Sequence, residues 1–245
     1  MKRSAWLLAA IVAMSFAGAP ALAQGPGGNG SLKFRAGGYF PTAGGDYWQF
    51  QKDSFGVDKS DYNDAMFGAT WASPIGNFVE IGFNVDLYEA TDRSEDQDFT
   101  DTSGSAILHD TTLRLVPMTV DVRLLPGGRY AQRGRFTARK PVPFIGAGLG
   151  LNYWEYEERG DFVFFDTAGD PFVEFDRFKD SGTAFETHVL AGIEIPMSPI
   201  WNLTFEGRYS WSETETDSYA TTEGYTTDKL DLGGAAFFVG ASLQF

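Results

Sequence analysis

Along most of this chain apolar and polar side chains alternate one for one, the period of a strand with a single apolar face. After a glycine-rich stretch from Gly25 to Gly30, eight such segments follow. The first, Leu32 to Phe40, sets Leu32, Phe34, Ala36 and Phe40 against Lys33, Arg35, Gly37 and Tyr39. The second, Met66 to Ala72, is short, with Phe67, Ala69 and Trp71 on one face. In the third, Val79, Ile81, Phe83, Val85 and Leu87 alternate with Glu80, Gly82, Asn84, Asp86 and Tyr88. The fourth opposes Val116, Met118, Val120, Val122 and Leu124 to Pro117, Thr119, Asp121 and Arg123. Pro117 has no N–H to give to a ladder, which predicts a bulge or a local break there. The fifth sets Ile145, Ala147, Leu149, Leu151 and Tyr153 against Gly146, Gly148, Gly150 and Asn152. The sixth sets Phe185, Val189, Ala191, Ile193 and Ile195 against Glu186, His188, Gly192 and Glu194. The seventh pairs Leu203, Phe205, Tyr209 and Trp211 with Thr204, Glu206, Arg208 and Ser210. The eighth ends the chain, with Phe237, Val239, Ala241, Leu243 and Phe245 on one side and Ala236, Phe238, Gly240, Ser242 and Gln244 on the other.

Two all-β architectures accommodate this alternation, and the polar face chooses between them. A soluble ligand-binding barrel has an apolar interior and a solvated exterior, and its interior face would not carry Glu80, Asp86, Asp121, Arg123, Glu186, Glu194, Glu206 and Arg208 together, because burying that many charges without water or partners is prohibitive. A transmembrane barrel inverts the arrangement, with apolar side chains toward lipid and charges toward a polar lumen. Eight strands close on themselves and leave no edge in hydrocarbon. The expected fold is therefore an all-β, transmembrane, eight-stranded antiparallel up-and-down β-barrel over residues 32–245. Connection lengths agree: Ser73–Asn77 and Pro196–Ile200 are short and belong to the periplasmic side. The remaining periplasmic connection, Pro126 to Pro141, is longer and carries Arg129, Arg133, Arg135, Arg139 and Lys140 without an acid. The four outer loops hold 27 of the 33 acids, and the other six all fall on the lumen face.

The start of the chain adds the compartment. Lys2 and Arg3, an apolar run from Ala5 to Ala17, and Ala21-Leu22-Ala23 form a secretory signal peptide over residues 1–23, cleaved after Ala23. The run is too short for a membrane helix of roughly 20 residues. A periplasmic N-terminal segment, 24–31, follows. With no cysteine, neither a disulfide framework nor a thiol site is available. A formal charge of −14 argues against nucleic-acid partners.

Several stretches resemble the OmpW family and its wider relatives among eight-stranded outer-membrane barrels. They are Leu115-Val-Pro-Met-Thr119, Pro143-Phe-Ile-Gly-Ala-Gly-Leu-Gly-Leu-Asn152, Ala184-Phe-Glu-Thr-His-Val-Leu-Ala-Gly-Ile-Glu-Ile195 and Trp201-Asn-Leu-Thr-Phe-Glu-Gly-Arg-Tyr209. The terminal strand extends the likeness, its outward residues Phe237, Val239, Ala241, Leu243 and Phe245 resembling the signal read by the barrel-assembly machinery. The resemblance implies a bacterial outer-membrane location, contact with outer-membrane lipid and lipopolysaccharide, and a narrow channel or conduit for small hydrophobic molecules. The competing expectation is a non-conducting structural or surface-interaction barrel. The basic connection, the acidic loops and the third outer loop depart from the family pattern. In that loop Asp161-Phe-Val-Phe-Phe-Asp166 and Pro171-Phe-Val-Glu-Phe-Asp176 read as extensions of strands five and six beyond the membrane.

The candidate site is a lumen charge network of Lys33, Arg35, Glu80, Asp86, Asp121, Arg123, Glu186, His188, Glu194, Glu206 and Arg208. An eight-stranded interior is just wide enough for side chains to fill, so these charges either plug the barrel or line a narrow path. Glycines 146, 148 and 150 either leave lumen volume or relieve crowding. His188 has no neighbouring nucleophile in sequence, and His109 sits in an expected loop, so no catalytic residue is assigned and no enzyme activity is expected. The acidic loops lack the spacing and central glycine of a calcium loop, so no metal site or cofactor is assigned. Loop aromatics Trp48, Phe50, Phe55, Phe162, Phe164, Phe165, Phe172 and Phe175 suit either an apolar vestibule or the aromatic girdle.

Overall fold

A computed structural model describes residues 30–132, 135–137, 140–216 and 228–245. The expected signal peptide and most of the segment after it lie outside the described residues. The eight barrel strands are β1 (Ser31–Pro41), β2 (Asp64–Pro74), β3 (Val79–Thr100), β4 (Ala106–Leu124), β5 (Val142–Phe165), β6 (Pro171–Pro196), β7 (Trp201–Thr216) and β8 (Gly234–Gln244). Each pairs antiparallel with its sequence neighbour, and β8 returns to β1 along Ser31↔Gln244 to Pro41↔Gly234. The ring is closed, which satisfies every wall strand without an edge in hydrocarbon. Gly30 and Phe245 exchange backbone hydrogen bonds of 3.2 and 3.1 Å beside the short turns, so both ends of the ring lie on the side that such barrels turn to the periplasm.

Strand parity sorts the side chains. Phe34, Phe67, Phe83, Val120, Leu149, Phe185, Phe205 and Phe237 are exposed on the outside, whereas Arg123, Asp86, Glu80 and Glu194 are fully buried within. The exposed apolar belt is the lipid-facing surface of a transmembrane barrel, inverted relative to a soluble core. Phe237, Val239 and Phe245 are likewise exposed, and Ala241 and Leu243 share their outward face.

The structure refines the sequence pattern at several points. Strand β1 starts at Ser31, one residue earlier than the alternation suggested. Opposite Pro117 the β3–β4 ladder is interrupted between Val85↔Met118 and Tyr88↔Leu115, but the register is unchanged on the two sides. The break is local and no bulge forms; the register shift lies instead between Glu95 and Thr100. Strands β3 and β4 continue well past the membrane belt, so His109 is a strand residue rather than a loop residue. The first outer loop holds a helix, α1 (Asp46–Phe55), and a single turn of tighter helix, Lys59–Tyr62. The helix ends at Gly56, whose φ of +68° suits a residue without Cβ.

Candidate functional site: a filled lumen

The lower lumen is a continuous set of ion pairs drawn from five strands (β1, β3, β4, β6 and β7) and one periplasmic turn. Arg35, from β1, lays its guanidinium fork on Asp86 with contacts of 2.7 and 2.8 Å from one nitrogen and 3.0 Å from Nε. Arg208 donates to the same carboxylate at 2.7 Å. Both arginines also reach Glu206 Oε1, at 3.0 and 3.1 Å. Arg123 grips Asp121 at 2.8 and 2.9 Å, and Asn84 bridges by donating to Asp121 at 2.8 Å and accepting from Thr70 at 2.7 Å. Toward the periplasm Lys33 meets Glu80 at 2.7 Å and Glu194 at 2.8 Å. Buried charge persists only when paired and hydrogen-bonded in this way. Aromatic rings bound the network on both sides: Phe238, above, lies 4.8 Å from the Arg35 guanidinium, and Phe144, below, lies 5.5 Å from that of Arg123.

A fifth cation enters from below. Arg129, on the basic connection, is buried and pairs with Glu80 at 2.5 Å and Glu194 at 2.8 Å. Counting it, the six lumen acids face five permanent cations. Glu186 is the acid left without one; its nearest ion-pair candidate is His188, 3.8 Å away. His188 also lies 3.9 Å from Asp121, so it sits among the acids without a short bond to either. Its ring packs over Gly148, where a Cβ would stand 2.6 Å from the imidazole. Glycine there relieves crowding and leaves no channel. At Gly68 a Cβ would overlap the Asp86 carboxylate that Arg35 holds.

The upper lumen is closed by aromatic packing. Helix α1 turns Tyr47 and Trp48 inward. Tyr47 meets Tyr156 edge-on at 5.2 Å, and Trp48 meets Tyr62 at 5.1 Å. Tyr39 and Tyr88 pack below them at 4.8 Å, with Met66, Leu113, Leu115, Trp154 and Phe238 in the same cluster. The polar tips find partners, as buried aromatics of this kind require. Trp48 Nε1 donates to the Asp231 carbonyl at 2.9 Å, and Tyr39 donates to that of Leu232 at 2.8 Å. Gln51 and Tyr156 both donate to Glu158 Oε1, at 2.6 and 2.7 Å. The loop-one aromatics therefore fill the mouth. Phe165, Phe172 and Phe175, in contrast, stay exposed on the β5–β6 extension.

Just above the membrane belt His109 is buried between Phe55, 4.5 Å away, and Phe162, 5.1 Å away, with Ser94 Oγ 3.0 Å from Nε2. Burial holds its pKa below the ordinary 6.5. A serine and an imidazole in contact suggest a nucleophile and base, but Nδ1 has no hydrogen-bond partner to orient it, and two rings cover the pair. Among the described residues no cluster of three or more His, Cys, Asp or Glu has the arrangement of a metal site. Sequence reasoning missed Arg129, α1 and the buried surroundings of His109. Only Arg129 left a signal, as one of five bases in a connection without acids.

These features define a closed eight-stranded transmembrane barrel with an ionic lower plug and an aromatic upper one. The chain is similar to several solved outer-membrane barrels. Neisserial surface protein A shares 13% identity over 89% of this chain and 97% of that one, with a TM-score of 0.46. Outer membrane protein W of E. coli shares 16% over 88% and 98%, with a TM-score of 0.39. Ail of Yersinia pestis, solved with the heparin analogue sucrose octasulfate, shares 11% over 89% and 98%, with a TM-score of 0.38. Identities this low concern the fold alone. No protein-family model and no curated protein matches the sequence.

Proposed function

We propose that this is a non-conducting barrel of the bacterial outer membrane, whose working parts are its acidic outer loops and the long β5–β6 extension. The observation that carries this reading is the filled lumen. Between the ionic and aromatic halves a cavity of about 10 Å³ is lined by Tyr39, Asn152, Glu186 and Arg208, room for about one water. A conduit for hydrophobic solutes, the other expectation, requires α1 to leave the mouth; a channel through the whole barrel also requires the arginine–carboxylate pairs below it to part, and a lateral conduit requires the wall above them to open. Lipid and lipopolysaccharide would surround the apolar belt, with the outward pairs Arg114–Glu89 and Lys179–Glu155 at headgroup level. The barrel-assembly machinery would read the Phe237–Phe245 strand during insertion.

Single-channel recording of the purified mature chain in planar bilayers tests the reading. Silence is expected across the voltage range that a lipid bilayer tolerates. Reproducible conductance steps from the unaltered protein would overturn it in favour of the conduit.

A further inference from the structure

Beyond the membrane the β5–β6 hairpin continues as a two-stranded arm. Strand β4 meets β5 for the last time at His109↔Gly160, whereas β5 and β6 stay in register out to Phe165↔Pro171. On its other side β6 meets β7 only from Glu186, opposite Ser212. The last residues of β7, Glu213–Thr216, pair only on their β8 side, where the short strand Asp228–Asp231 continues the β7–β8 register. Among the described residues, Pro171–Phe185 therefore has no strand partner on the β7 side. A row of free N–H and C=O groups of this length is a template for another strand. Its protection is charge alone, from Glu174, Asp176, Arg177, Lys179 and Asp180. Its single proline is the first residue, and Phe172, Val173 and Phe175 are exposed, the last by 59%.

The two faces of this edge differ in charge balance. Alternation puts Glu174, Asp176 and Asp180 on one face and Val173, Phe175, Arg177 and Lys179 on the other. The two cations are already neutralised, Arg177 by Glu157 and Lys179 by Glu155, each at 2.7 Å. None of the three carboxylates is in an ion pair among the described residues. A second copy of the same edge is a poor partner. Two-fold antiparallel pairing brings residues of equal parity together. Registers centred on Phe175, Asp176, Arg177 or Phe178 set Glu174 against Asp176, Asp176 against itself, Glu174 against Asp180, or Asp176 against Asp180. Like charges directly opposite destabilise a ladder.

We propose that the outer part of the free β6 edge, residues 171–180, is a strand-addition site for an extended polypeptide segment with Lys or Arg at alternate positions and apolar residues between them. Main-chain hydrogen bonds would hold the segment. Its cations would lie beside Glu174, Asp176 and Asp180, and its apolar side chains beside Val173 and Phe175. The inference rests on the reading of this barrel as a surface-interaction protein.

The probe is the peptide acetyl-(Lys-Val)4-amide, titrated against the mature chain in lipid nanodiscs. In a strand the lysine N–H groups point one way and the valine N–H groups the other. N-methylating all lysines or all valines therefore blocks one hydrogen-bonding edge without changing charge. Strand addition requires one of the two methylated peptides to lose at least about tenfold in affinity while the other binds like the parent. Equal affinity for all three peptides means electrostatic adhesion and overturns the proposal. Hydrogen exchange gives the second readout: backbone amides of residues 172–180 gain protection with the parent peptide, and those of Ser31–Pro41 do not change. Protection of residues 172–180 equal to that of Ser31–Pro41 before any peptide is added shows the edge already covered, and also overturns it. A conducting barrel that adds the peptide would sink the functional reading and leave this one standing. A silent barrel that ignores the peptide would do the reverse.

Discussion

The lower and upper halves of the lumen solve the same problem with opposite chemistry. Below, a barrel too narrow for a channel is filled by arginines and carboxylates that neutralise one another. Above, it is filled by tyrosines and tryptophans, some of them carried in by a helix from the first outer loop. The ionic half is built almost wholly from wall residues, each held by a ladder on both sides. The aromatic half depends on α1, a ten-residue helix too short to be stable alone. The comparison teaches that the two plugs should fail differently: loss of a wall charge should threaten the barrel, and loss of a cap aromatic should loosen only the mouth.

The largest effect is expected at the centre of the ionic half. Arg35→Ala strips Asp86, Thr70 and Glu206 of a shared donor and should cost about 3–5 kcal/mol in urea unfolding from lipid bilayers, the scale for breaking a buried pair. Lys229→Ala, at an exposed site near the mouth, should leave the same midpoint almost untouched. Equal midpoints for the two variants would show that the ion pairs do not hold the wall. Next in size is Val120→Arg on the lipid face, expected to cost about 2–4 kcal/mol if the side chain meets the bilayer midplane; heat-modifiable gel migration reports whether the variant still assembles.

A smaller effect on the barrel is expected from Trp48→Ala. It removes the Tyr62 contact and the bond to Asp231, and should raise hydrogen exchange in Asp46–Phe55 while the amides of β1 and β8 stay protected. Simultaneous loss of protection in both places would mean that the cap and the wall unfold as one unit. The smallest effect is a pH dependence. His109 is held neutral by burial, so its pKa is lower folded than unfolded. Its contribution is then complete above pH 6.5 and is lost as the pH falls below that value, because the unfolded chain takes up the proton first. Mild acid should loosen the packing of Phe55 and Phe162 around the ring, and His109→Gln should flatten that dependence. An unchanged acid response in the variant would assign it to other groups.

The difference between the halves also explains what could be read from sequence. Lumen placement of Glu80, Asp121 or Arg208 follows from a two-residue period, because one step of slip would put the charge in lipid. Nothing periodic announces α1. Tyr47, Trp48 and Gln51 lie in ten residues that also hold Gln49, Lys52 and Asp53, and they become helical because a ring of aromatic wall residues waits beneath them. Pairing partners were equally hidden. Parity placed Arg35 and Asp86 on the same side of the wall, but only the stagger between β1 and β3 decides that they meet. The strand ends were underestimated because β3 to β6 carry charges on both faces once they leave the bilayer, and the alternation that marks them lower down fades at Glu89 and Glu155.

Arg129 has a consequence for how the ring checks its own assembly. Its guanidinium meets Glu80 of β3 and Glu194 of β6, and Lys33 of β1 meets the same two acids. Four segments far apart in sequence must arrive at one level before all of these charges are matched. A strand that slips by two residues keeps its apolar face toward lipid, so the bilayer does not detect the error. The quartet does, because the slip strands a buried charge without a counterpart. The periplasmic turn would then serve as a pin that fits only the ring whose strands have all been threaded at the right height.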